Sequence, residues 1–128
     1  MRQFTLGDLI GAIEETRRGC VLRDDQRVHF DFVNLFPTSP LSYRGFYDHL
    51  ALGYSTGGEA PFSWHLLAVL KECVGSAFDG YRGGSYVARL DTPLWVANWG
   101  ECGSTAVVGL HGEPDDASLI IETARIIE

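Results

Sequence analysis

Two short segments carry the side chains best suited to hold a ligand: Tyr43-Arg44-Gly45-Phe46-Tyr47 and Tyr81-Arg82-Gly83-Gly84-Ser85-Tyr86. Each sets an arginine between an aromatic ring and a glycine. Arginine presents a planar fork of donors that matches a phosphate or a carboxylate. Tyr43, Tyr47 and Tyr81 add stacking faces and hydroxyls. Gly45, Gly83 and Gly84 permit tight turning and expose backbone N–H groups, which suits the approach of an anion. The chemistry implied is the holding of a small anionic, nucleotide-like molecule. The same residues also read as two ordinary turns, with arginines paired to surface carboxylates and tyrosines lining the core.

A second stretch, Trp95-Val96-Ala97-Asn98-Trp99, has the alternation of a strand. Trp95, Ala97 and Trp99 then share one face, and Leu94, Val96 and Asn98 the other. The tryptophans lie ~13 Å apart along such a strand, too far to sandwich one base but suited to separate parts of a larger ligand. Core packing is the competing reading. Asn98, on an otherwise apolar face, needs a hydrogen-bond partner if buried and joins the ligand-binding candidates.

Catalytic combinations are sparse. His29 and Asp31 fall on one strand face, which permits an acid–base pair or a solvated polar side. Asp48 and His49 are adjacent and point to opposite faces; His65 stands near a helix start, and His111 near Glu113. None of these matches a zinc-protease helix, a nucleophile elbow or a phosphate-binding loop. Cys20, Cys73 and Cys102 are odd in number and lack metal-ligand spacing, so reduced, partly buried thiols are expected. No catalytic residue, metal site or cofactor is assigned.

At 128 residues the chain fits one domain, residues 1–128, and its 45% apolar and 21% charged residues are a globular composition. No apolar run approaches the ~20 residues of a membrane span. The N-terminus leads directly into an amphipathic stretch with Asp8, Glu14 and Glu15, which points to a cytosolic protein. A net charge of -7 with dispersed acidic pairs and no basic stripe argues against nonspecific nucleic-acid binding.

The elements that must position these residues follow from periodicity. Residues 5–18 read as a helix, with Thr5 and Asp8 forming a capping box and Leu6, Leu9, Ile10 and Ile13 its buried stripe. Residues 27–33 alternate as a strand, 34–40 break regular structure with two prolines, and 46–54 resume as a strand. Residues 63–74 read as a second helix capped by Ser63, with Leu66, Leu67 and Leu70 in its core stripe. Strands are expected at 85–90, 93–99 and 105–110. Residues 119–127 are ambiguous, and their β-branched density favours a strand. The fold class expected is α+β: an antiparallel sheet of about five or six strands with two helices packed on one face.

The combination of Ser42-Tyr43-Arg44-Gly45-Phe46-Tyr47 with Leu50-Ala51-Leu52, then Gly80-Tyr81-Arg82-Gly83-Gly84 and Thr92-Pro93-Leu94-Trp95-Val96-Ala97, resembles a group of small phage-encoded proteins of unassigned activity. The resemblance spans roughly residues 36–109. It implies a protein at work in a bacterial host cytosol, similar in kind to counter-defence proteins that sequester nucleotide-like signals, often as homo-oligomers. By that analogy of type, Arg44 and Arg82 meet phosphate, Tyr43, Tyr47, Tyr81 and Trp99 shape or stack, and Asn98 hydrogen-bonds. Two alternatives remain open: an inhibitor that binds a host protein through acidic or aromatic surface, and a small phosphoesterase using His29 with Asp31.

Overall fold

Leu6, Leu9, Ile10 and Ile13 are all buried on α1 (Leu6–Arg18), so the apolar stripe read at helical spacing is the face that meets the core. The computed structural model describes residues 2–31, 35–42, 49–79, 84–97, 105–112 and 117–125. Thr5 and Asp8 form the expected capping box: the Asp8 N–H donates to Thr5 Oγ1 at 3.2 Å, and the Thr5 N–H to Asp8 Oδ2 at 2.9 Å. Partial burial opposes the charged Asp8 carboxylate. The bonds from Thr5 and from the Arg2 guanidinium outweigh it and hold the carboxyl below its ordinary value.

After α1 come β1 (Arg27–Phe30), β2 (Phe36–Ser42), β3 (Leu50–Ser55), α2 (Ser63–Cys73), β4 (Ala77–Asp79), β5 (Ser85–Val87), β6 (Leu94–Val96), β7 (Thr105–His111) and β8 (Ser118–Arg125). Six strands form one sheet in the order β1-β8-β7-β6-β3-β2, and β4 pairs with β5 in a small second sheet. The core lies between the six-stranded sheet and the two helices. Leu66 and Leu70 of α2 join the α1 stripe against Val28, Leu50, Leu52, Leu94, Val96, Leu119 and Ile121.

The fold is α+β, as the periodicity implies, but the sheet is mixed. β1 runs parallel to β8, and β3 parallel to β6. The second pair has a physical cause: α2 and the β4–β5 sheet intervene between β3 and β6, and such a crossover returns the chain in the same direction. A meander inferred from short spacing misses it. Residues 119–127 resolve as a strand through residue 125, because Leu119 and Ile121 are fully buried at period two against Val28 and Phe30.

Two local expectations are corrected. Residues 36–42 are a strand despite Pro37 and Pro40. β2 is the edge of the sheet, and its register against β3 shifts between the two prolines; edges and bulges are where a missing N–H is tolerated. Ser63 does not cap α2. Phe62 stands at that position, held by the Arg27 guanidinium 4.0 Å above its ring. The Ser63 hydroxyl accepts from Arg17 Nη1 at 3.0 Å and turns toward Gln26 Oε1 at 3.2 Å.

Candidate functional site

The alternation read in residues 94–97 is the alternation observed. Leu94 and Val96 enter the main core, while Trp95 packs with Ala51, Ala106 and Ala97 on the opposite face of the sheet. Trp95 is buried at 6% exposure, so its role there is packing, with one polar task. Its indole Nε1 donates to His49 Nδ1 at 2.8 Å, the rings tilted 31° with centroids 6.0 Å apart. The bond requires an unprotonated Nδ1. The Tyr86 hydroxyl donates to the His49 carbonyl at 2.7 Å. His49, the residue before β3, is thus held by one side chain from β5 and another from β6.

Beside this junction lies an open cleft of about 530 Å³, within the ~300–1,000 Å³ common for small-molecule sites. β5 lines it with Ser85, Tyr86 and Val87, and the following turn with Arg89, Asp91 and Thr92, before Pro93. The turn closes on itself: the Thr92 N–H donates to the Arg89 carbonyl at 3.1 Å, and the Arg89 N–H to Thr92 Oγ1 at 2.9 Å. It is also fixed to the start of α1. The Leu6 N–H donates to the Thr92 carbonyl at 2.8 Å and the Gly7 N–H to the Leu90 carbonyl at 2.7 Å. Those are donors that a helix start leaves without intrahelical partners. A side chain at residue 7 would disturb this, because a Cβ there would lie 2.9 Å from the Leu90 oxygen. The turn therefore presents Arg89 and Asp91 from a rigid base. Among the described residues, neither their guanidinium nor their carboxylate has a hydrogen-bond or ion-pair partner.

Of the candidates named from sequence, Gly84 is described. It takes φ +73°, with open space where a Cβ would stand, so glycine is favoured there by backbone conformation alone. Tyr43, Arg44, Gly45, Tyr47, Tyr81, Arg82, Gly83, Asn98 and Trp99 lie outside the described residues. Sequence reasoning misses Arg89 and Asp91. Their readable signal is a charged, polar turn closed by Thr92-Pro93, which resembles many turns without chemistry.

Two other groups weighed for catalysis are engaged away from this cleft. Asp31 accepts from the Thr123 N–H at 2.9 Å and hydroxyl at 2.6 Å, which ties the end of β1 to β8 instead of orienting His29. His111 pairs with Glu122 at 3.5 Å. Cys20 and Cys73 are both buried, and burial pushes the Cys73 thiol up to about 11. Among the described residues no cluster of His, Cys, Asp or Glu could hold a metal ion, and no helix is long and apolar enough to cross a membrane. Comparison of the chain with protein-family models, curated proteins and solved structures gives no match.

Proposed function

We propose that this protein is a noncatalytic binder that sequesters a small anionic, nucleotide-like ligand in the cleft beside β5, in the manner of a phage counter-defence protein working in its host's cytosol as a homo-oligomer. The observation that carries the reading is the Tyr86–His49 hydrogen bond. It ties the chain just after the second Tyr-Arg-Gly segment to the chain just after the first. Arg44 precedes His49 by five residues, and Arg82 precedes Tyr86 by four. At no more than ~3.6 Å per residue, neither tether exceeds ~18 Å from that shared junction. Arg44 and Arg82 thus have common reach with Arg89, which already lines the cleft. Arg89 suits a phosphate and Tyr86 a planar base, and by chain length Arg44 and Arg82 are candidates to add to them.

A second reading, a protein-binding inhibitor, is favoured by the α2 start. There Trp64 is 47% exposed and stacks on Phe62 with ring centroids 5.8 Å apart; a rigid exposed aromatic is a common interface anchor.

Calorimetry against a panel of cyclic nucleotides, nucleoside monophosphates and ADP-ribose derivatives tests the first reading. Binding that is weakened in Arg89→Gln and unchanged in Trp64→Ala supports it. Folded protein that binds no member of the panel overturns it and leaves the aromatic surface as the stronger candidate.

A further inference from the structure

Resting on that reading, we infer that the cleft selects a ribose-bearing phosphate over a bare anion, with Arg89 meeting the phosphate and Asp91 the sugar hydroxyls. A site for a simple anion gains from positive charge alone, yet this turn places a carboxylate two residues from the arginine, both lining one cleft. The arginine does not neutralise it: the two side chains form no ion pair, and neither finds another partner among the described residues. Both side chains are exposed on a turn whose backbone is closed by Thr92 and fixed to α1.

The start of α1 supplies no alternative anion site. Its Leu6 and Gly7 N–H groups already donate to the turn's carbonyls, so Arg89 is the cationic group this turn offers a phosphate. Asp91 repels a bare phosphate, and the chain's net charge of -7 adds to that repulsion. The carboxylate becomes favourable when the ligand carries donors beside its anionic group. A ribose diol does so, since an ionised carboxylate accepts two O–H groups. An amino-acid zwitterion offers the same pairing of charges but fills only a small part of a cleft of about 530 Å³. A nucleotide has both the donors and the bulk.

The test is calorimetric titration of the wild type, Asp91→Asn and Arg89→Gln. The probes are adenosine, guanosine, cytidine and uridine 5′-monophosphates, the 2′-deoxy counterpart of each, and inorganic phosphate. Circular dichroism confirms that each variant is folded. The expected result is a preference of about tenfold for a ribonucleotide over its deoxy counterpart, the worth of one hydrogen bond to a charged group. Asp91→Asn should shrink that preference and strengthen inorganic phosphate binding, and Arg89→Gln should weaken every probe. A ribose preference equal in wild type and Asp91→Asn overturns the assignment of Asp91 while the nucleotide-binding reading stands. Inorganic phosphate bound as tightly as the nucleotides by the wild type also overturns it. If folded wild type binds no probe, both the inference and the reading beneath it fail for nucleoside monophosphates.

Discussion

His49 receives bonds from two strands: the Trp95 indole reaches its ring and the Tyr86 hydroxyl its backbone carbonyl. The two bonds differ in what their removal tests. Trp95 is buried against Ala51 and Ala106, so shortening it opens a cavity as well as deleting a donor. Tyr86→Phe is the cleaner change, because only an O–H is lost. It should cost about 1 kcal/mol in urea unfolding and weaken nucleotide binding by more than that loss of stability explains, since the junction between the two Tyr-Arg-Gly segments loosens. Unchanged affinity at full saturation would separate the junction from the site. Sequence made half of this arrangement readable. Period-two alternation put Trp95 and Ala97 together on the face away from Leu94 and Val96, as observed. Nothing in local spacing shows that Tyr86 or Trp95 will find His49, because those contacts are made by the topology.

At the scale of elements, α1 was the most legible part of the chain. Its cap, stripe and length are all set by residues within one helix, and local rules suffice for such an element. The errors fall where a neighbour decides. Pro37 and Pro40 read as a break until β2 is known to be an edge. Ser63 reads as a cap until its hydroxyl is seen to bond with Arg17 and Gln26, while Phe62 takes the cap position. The three-residue β4 is too short to show a period and is defined by its pairing with β5. The same distinction between local preference and tertiary constraint predicts opposite outcomes for two glycines of α1. At Gly11 nothing lies within 4 Å of the place a Cβ would take, whereas at Gly7 the Cβ would stand 2.9 Å from the Leu90 oxygen. Gly11→Ala should therefore gain stability approaching the ~1 kcal/mol helix preference of alanine over glycine. Gly7→Ala should forfeit that gain or lose stability, and should weaken ligand binding by shifting the turn that carries Arg89. Denaturant unfolding of the two variants side by side checks this, and equal stabilisation by both would mean that the turn yields without cost.

For the molecule as a whole, layer architecture was readable and strand order was not. Counting two amphipathic helices and several half-buried strands leads to helices on one face of a sheet. The parallel pairs β1–β8 and β3–β6 join strands distant in sequence, and no local pattern encodes them. The site has the same origin: the turn that carries Arg89 and Asp91 is anchored by α1, from a distant part of the chain. Net charge acts at this scale too. A chain of 128 residues has a radius of gyration near ~14 Å, while the screening length is ~30 Å at 0.01 M salt and ~8 Å at 0.15 M. At low salt an approaching anion meets the field of all -7 charges; at physiological salt it meets little beyond the cleft. The association rate of an anionic nucleotide, followed by tryptophan fluorescence in stopped flow, should accordingly rise severalfold between these two conditions. It should then fall in higher salt as the contact with Arg89 is itself screened. Arg89→Gln should keep the rise and lose the later fall. A rate that declines steadily from the lowest salt, as for proteins that track phosphate backbones, would instead place a dominant basic field around the site and contradict selection by a balanced Arg89–Asp91 pair.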